Sequence, residues 1–192
     1  ICDDIAQGGG NTWPRAVSVD TLKKRFPNAT ITYVNAAVGA QDAGVKLSLN
    51  DVASKVAPQK PNLIIHYIYG WEDPYETLIK QLKNALAPDG EMLILSNHVT
   101  AFTGQAQYFD DYWSWFYLPD LCERHKLGFV ELRKPWKQYL ADYANNNASF
   151  ALSDVQHLGN VGQYLMEEFI SPYLVVRDDK TAPAIDSVAA RP

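Results

Sequence analysis

The chain alternates between short apolar runs and longer stretches in which apolar residues recur every three or four positions. The strongest run is residues 63–69, apolar at nearly every position, as in a central parallel strand that is covered on both faces. His66 lies inside this run and is predicted to be a buried, hydrogen-bonded core residue. Further strands are predicted in the β-branched or apolar segments 30–34, 92–95 and 129–132.

Helical spacing of apolar residues fills the intervals between these runs. It predicts a first helix containing Val17, Leu22 and Phe26, a helix after Pro74, and further helices over 44–57, 107–126, 136–143 and 161–173. Strands that alternate with helices indicate an α/β fold: a three-layer α/β/α sandwich with a mostly parallel sheet. Functional groups in such folds gather at the carboxyl ends of the strands. These ends correspond to residues 36–40, 70–73 and 96–98.

A polar turn near the end of the chain carries Asp154 and, three residues later, His157. An Asp at this spacing can hold the imidazole Nδ1–H and leave Nε2 free to accept a proton from a nucleophile. The alternative is a capped helix start with a surface histidine. Asn160 is the predicted N-cap of the helix that follows, because its side chain can accept a hydrogen bond from the first turn.

Composition narrows the classes of function. The 192 residues suit one domain, predicted over 1–176, with 177–192 as an exit linker or the start of a further module. The net charge of −5 gives no basic surface for nucleic acid, and no apolar run is long enough to span a membrane.

Cys2 and Cys122 have no metal-binding spacing and could form one disulfide or remain free thiols. The sequence indicates no metal and no cofactor. Its 11 Tyr, 5 Trp and 7 Phe suit either a core or the stacking of sugar rings.

Three blocks together resemble the SGNH (GDSL-type) hydrolase family: residues 34–39 (VNAAVG), residues 61–73 (PNLIIHYIYGWED) and residues 154–158 (DVQHL). Their order and their positions at strand ends carry the resemblance, which covers residues 13–173. It implies a flavodoxin-like sandwich and an esterase or deacetylase with a serine nucleophile.

The resemblance also implies roles for individual residues. His157 corresponds to the general base and Asp154 to the carboxylate that orients it. Gly39, or its neighbour Ala40, corresponds to an oxyanion-hole N–H. The family's first block, a strand that ends in Gly-Asp-Ser, does not occur in 1–192. We therefore expect a segment upstream of Ile1 to supply both the first strand and the serine.

Glu72 stands where the family's third block usually has Asn, and an ionised carboxylate cannot donate a hydrogen bond to an oxyanion. Either Glu72 is buried and protonated, so that it donates, or it points towards the substrate and another group serves the oxyanion. Asn97, at the end of the neighbouring strand, is the expected alternative donor. Trp71, Glu72 and His98 are the predicted substrate-binding residues.

Together these features predict an O-acyl ester hydrolase that removes an acetyl or similar small acyl group from a carbohydrate, so that the expected partner is an acylated small molecule or glycan. The alternative is a non-catalytic carbohydrate-binding or scaffold domain on the same fold. The resemblance implies a secreted or periplasmic location.

Overall fold

The computed structural model describes residues 19–39 and 41–175. Its centre is a parallel sheet, with Ile64 opposite Met92 across the first pair of strands. The strands occur in the sheet in chain order: β1 (Leu63–His66), β2 (Glu91–Leu95) and β3 (Gly128–Val130). The predicted parallel α/β arrangement is confirmed, and each of these strands lies within two residues of its predicted start.

Helices connect the strands and cover the sheet. They are α1 (Val19–Arg25), α2 (Ala43–Ser48), α3 (Glu72–Ala85), α4 (Gln105–Tyr112), α5 (Leu118–His125), α6 (Arg133–Ala144) and α7 (Asn160–Ile170). A π-helical segment, Trp113–Tyr117, joins α4 to α5 into the aromatic-rich helix that the sequence predicts over 107–126.

The strand residues alternate between two apolar clusters, as the two-residue period of a strand requires. Ile64, Met92 and Ile94 pack against α2, α3 and the α4–α5 helix on one face of the sheet. Leu95 and Val130 pack against α6 and α7 on the other face. Because both faces are covered, the sheet is the middle layer of the expected flavodoxin-like sandwich.

Three local predictions are wrong. Residues 30–34 are not a strand of the sheet: Tyr33 and Val34 are 40% and 49% exposed, without the burial of a central strand. The predicted helix 44–57 is interrupted because Asn50 adopts a left-handed backbone, φ 53°, after α2. The N-cap of α7 is Gly159, and Asn160 is instead the first helical residue.

Cys2, Ala40 and the predicted linker 177–192 lie outside the described residues. Cys122 is buried on α5, and burial raises the pKa of its thiol to about 12. Within 19–39 and 41–175, no helix has both the length and the apolar character needed to cross a bilayer.

Candidate active site

The carboxyl ends of the three strands meet at one edge of the sheet. The chain leaves β1 through Tyr67 and leaves β2 through Ser96. The Ser96 hydroxyl accepts a hydrogen bond of 2.7 Å from the backbone N–H of Leu132, just beyond β3. This contact holds the ends of β2 and β3 together and defines the edge at which the site is built.

The loop 153–158 precedes α7. Its ends are joined by a hydrogen bond of 2.8 Å from the Ser153 N–H to the His157 carbonyl. Gly162 then permits a close packing of α7 against the chain before the loop, because a Cβ there would lie 2.3 Å from the Ala151 carbonyl oxygen. The backbone therefore holds the loop at both of its ends.

The loop brings the predicted pair into contact. Nδ1 of His157 lies 2.6 Å from Oδ2 of Asp154, and the other carboxylate oxygen accepts the backbone N–H groups of Gln156 and His157, at 2.8 Å each. Asp154 is half exposed and the His157 side chain is 23% exposed. Among the described residues, no hydroxyl is bonded to Nε2 of His157, the nitrogen that would act as a base.

The Asp154 carboxylate is stabilised by these donors. Its pKa falls to about 2, because the backbone N–H groups of His157 and Gln156 and the His157 ring all bond the charged form. Asp154 is therefore ionised at neutral pH. Its carboxylate accepts the hydrogen bond from Nδ1–H of His157 and so orients the imidazole ring.

This pKa shift predicts a pH-dependent contribution to stability. Because the folded-state pKa of Asp154 is lowered, its contribution is fully present above the unfolded-state value of about 4 and disappears as the pH falls towards 2. We expect Asp154→Asn to lower the melting temperature at pH 5 to 7 and to match the original protein near pH 2. Thermal unfolding followed by circular dichroism measures the difference. A gap between the two melting temperatures that is constant from pH 7 to pH 2 would contradict this prediction.

Two predicted site residues, Asn97 and His98, are fully buried behind this loop. The Asn97 amide donates to Oδ1 of Asp110 at 2.9 Å. His98 has Nδ1 at 2.5 Å from the Tyr67 hydroxyl and Nε2 at 2.9 Å from the Gln156 carbonyl oxygen. Both ring nitrogens of His98 are thus bonded within the protein, and the ring has no exposed surface.

Trp71 and Glu72, in contrast, are exposed beyond the end of β1. The Glu72 carboxylate accepts a hydrogen bond from the Tyr112 hydroxyl, which raises the pKa of Tyr112. Glu72 is therefore not the buried group that the protonated alternative requires. Trp71 is 69% exposed, and its ring meets the edge of Phe109 at a centroid distance of 5.5 Å.

An open cleft of about 380 Å³ lies beside Trp71. Aromatic rings and polar groups line it together: Asp42, Tyr69, Gly70, Trp71, Gln105 and Phe109. The Ala43 N–H donates to the Tyr69 carbonyl at 3.0 Å, which holds the start of α2 against this cleft. The start of α2 and the aromatic cleft are thus neighbours beyond the end of β1.

A buried ionic network that sequence reasoning did not identify supports the site. Arg133 is completely buried; it pairs with Asp111 and, at 3.5 Å, with Asp110, and it donates to the His98 carbonyl at 2.7 Å. Lys137 donates to both oxygens of Asp111 at 2.8 Å. The acidic and basic members are more than twenty residues apart, so no local motif indicates that they meet.

The described part of the chain contains no group of three or more His, Cys, Asp or Glu side chains arranged to hold a metal ion. The groups that can do chemistry at this edge are an oriented imidazole, backbone N–H groups and polar side chains. Such a set suits acyl transfer to a nucleophile with proton transfer by His157.

Comparison with known proteins finds a likeness in structure. No protein-family model and no curated protein sequence matches the chain. The acetyl xylan esterase AlAXEase is 13% identical with a TM-score of 0.72, over 91% of this chain and 97% of the esterase. A variant of Axe2, an acetyl-xylooligosaccharide esterase from Geobacillus stearothermophilus, is 12% identical with a TM-score of 0.70, over 94% of each chain.

A second form of Axe2, described as a catalytic mutant with a histidine-to-alanine change, is 14% identical with a TM-score of 0.70. It aligns with 93% of this chain and 94% of its own. At these identities the likeness establishes the fold, which this chain shares with esterases of acetylated xylan.

Proposed function

We propose that this domain is a serine-type ester hydrolase that removes an acetyl or similar small acyl group from a carbohydrate. The observation that carries the proposal is the Asp154–His157 pair, with its 2.6 Å contact, at the strand-end edge of the sheet. Support comes from the fold, which resembles acetyl xylan esterases. Membership of the SGNH family, and the secreted or periplasmic location that it implies, are part of the same proposal.

The reaction follows from the orientation of His157. Its Nε2 takes the proton of a serine hydroxyl as the oxygen attacks the ester carbonyl, and Asp154 stabilises the imidazolium that forms. We assign the oxyanion hole to backbone N–H groups at Gly39 and Ala40. His157 then gives the proton to the leaving sugar oxygen. A water molecule, deprotonated by His157 in turn, releases acetate and regenerates the serine.

The serine itself is proposed to come from a segment upstream of Ile1, as the resemblance implies. Ser153 is close to the pair in the chain, but its hydroxyl donates to the His157 carbonyl at 3.3 Å and belongs to the loop's own structure. The role of Asn97 is proposed to be structural support, because its amide is held by Asp110.

Labelling of the nucleophile tests this function. The native polypeptide that contains the domain is treated with a fluorophosphonate, which reacts with activated serines, and the modified peptide is identified by mass spectrometry. We expect one labelled serine, upstream of Ile1, with labelling lost in His157→Ala. Hydrolysis of p-nitrophenyl acetate and of acetylated xylo-oligosaccharide is measured in parallel. A polypeptide with neither labelling nor turnover is not a hydrolase.

That negative result would favour the second candidate, a non-catalytic carbohydrate-binding domain. The observation behind this candidate is that no hydroxyl of the described residues is bonded to Nε2 of His157, whereas an open cleft with aromatic lining is present. Saturable binding of xylo-oligosaccharide in calorimetry, without turnover, would establish it.

The sugar is proposed to bind in the cleft beside Trp71, where aromatic faces suit the apolar faces of a sugar ring and Asp42 and Gln105 suit its hydroxyls. We expect Trp71→Ala to raise KM for acetylated xylo-oligosaccharide roughly tenfold, with kcat nearly unchanged, because stacking binds substrate and transition state alike. Turnover of p-nitrophenyl acetate, which has no sugar, should not change.

Tyr108→Ala is the matched control for this variant. Tyr108 is also an exposed aromatic residue, 72% accessible, but it does not line the cleft. An equal rise in KM for both variants would mean that exposed aromatic residues act non-specifically. Glu72 is proposed to face the sugar as well, so Glu72→Gln should change KM more than kcat.

A further inference from the structure

His98 has a defined protonation state. The Gln156 carbonyl can only accept, so Nε2 of His98 carries the proton that it donates at 2.9 Å. Nδ1 is therefore the acceptor and receives the Tyr67 O–H at 2.5 Å. The Tyr67 oxygen also accepts the backbone N–H of His98, at 3.4 Å, which leaves its own hydrogen for the ring. Complete burial lowers the pKa of His98 to about 4, so the ring is neutral under ordinary conditions.

The bond from His98 acts on one particular peptide unit. The Gln156 carbonyl and the His157 N–H belong to the same peptide group, which lies directly before the Cα of His157. His98 binds the oxygen of this group, and Asp154 binds its N–H at 2.8 Å. The plane of the peptide is thus held from both sides, and this plane determines where the His157 side chain starts.

Besides its backbone hydrogen bonds, the loop has little side-chain burial that could hold this plane. Val155 is 84% exposed, the Asp154 side chain is 50% exposed, and Gln156 is also exposed. Hydrophobic packing therefore contributes little to the position of the loop tip. Arg133 donates a hydrogen bond of 2.7 Å to the His98 carbonyl and thereby holds the His98 backbone.

We propose that His98 is a positioning residue for His157: the chain of hydrogen bonds from the Tyr67 hydroxyl through the His98 ring to the Gln156 carbonyl holds the general base in place. This inference rests on the proposed function for its catalytic consequence. It replaces the sequence-based expectation that His98 contacts the substrate. In this role the His98 ring links Tyr67 and its own backbone, at the ends of β1 and β2, to the exposed loop 153–158.

Two variants of His98 distinguish a role in positioning His157 from a role in filling the core with apolar volume. His98→Leu keeps the apolar volume and removes the donor, whereas His98→Gln can still donate an N–H to the Gln156 carbonyl. We expect His98→Leu to lower kcat for p-nitrophenyl acetate about 10²-fold with little change in KM, the cost of a displacement of roughly 1 Å. His98→Gln should recover most of this loss.

A spectroscopic readout makes the test independent of turnover. The Nδ1–H proton of His157, bonded to Asp154, gives a downfield NMR resonance that should persist in His98→Gln and broaden or vanish in His98→Leu. Tyr67→Phe removes the hydroxyl bonded to Nδ1 of His98, so the ring should no longer be held in one tautomer, which its ¹⁵N shifts report. The His157 Nδ1–H resonance should weaken as well. Tyr67→Phe also serves if His98→Leu does not fold.

Leu78→Ala controls for a general loss of stability, because Leu78 is buried on the opposite face of the sheet. It should lower the melting temperature and leave both kcat and the His157 resonance unchanged. The inference is overturned if His98→Leu keeps the original kcat and resonance, or if His98→Gln loses as much as His98→Leu. If the original protein has no esterase activity, the proposed function fails, and the resonance alone still decides whether His98 holds the loop.

Discussion

Replacement of His157 by alanine is expected to lower kcat for p-nitrophenyl acetate by at least ~10³-fold in the polypeptide that carries the serine. The variant has no group to take the serine proton, although the Asp154 carboxylate stays in place. The domain should still fold, because the backbone hydrogen bonds of the loop do not involve the imidazole. Steady-state kinetics with circular dichroism as the folding check measures both.

Comparison within the loop gives this prediction its specificity. Asp154→Asn should lose less than His157→Ala, since it leaves an imidazole that is present but wrongly oriented. Val155→Ala, at a position 84% exposed between the two, should keep the original rate. Turnover that does not respond to His157→Ala would remove the proposal that this pair is catalytic.

Replacement of Asp111 by alanine is expected to lower the free energy of unfolding by about 3–5 kcal/mol. The change removes a partner of the fully buried Arg133 and the two 2.8 Å bonds from Lys137. Burial raises the pKa of Asp111, but hydrogen bonds from Lys137 and Arg133 outweigh it and hold the pKa below its usual value. For a domain of this size, the melting temperature should fall by roughly 6–20 °C.

Asp120→Ala is the control, because it removes the 2.7 Å ion pair with Arg124 at the surface, where the Asp120 side chain is 64% exposed. An exposed pair contributes about 0–1 kcal/mol, so the melting temperature should shift by only a few degrees. Equal shifts in the two variants would mean that burial of Arg133 does not make its ionic partners important. Chemical denaturation gives the free energies directly.

Burial separates the predicted site residues into two groups, one buried and one exposed. Positions 96–98 follow β2 directly, at the strand end where the sequence predicts site residues. Asn97 and His98 nevertheless turn inward, because β2 is the middle of the three described strands and the chain that leaves it is covered by other elements. Trp71 follows β1, which is at the edge of the three described strands, and its side chain is exposed.

The sequence by itself determined the layers of the fold and the contact of one pair of side chains. Continuous apolar runs and helical spacing are local signals, and they predicted the parallel strands and most of the helices. The contact between Asp154 and His157 is also local, since a turn of three residues suffices to bring the carboxylate to the ring. Where a helix depends on one backbone conformation, as at Asn50, the local pattern predicted it wrongly.

Only the tertiary structure decided which polar groups meet at the strand ends. Tyr67, His98 and Gln156 come from three separate segments, and their hydrogen bonds exist only because the strand ends and the loop converge. The same holds for Arg133 and Asp111, which are 22 residues apart in the chain. Spacing along a chain carries no signal for such pairs, because their contact depends on the packing of the elements between them.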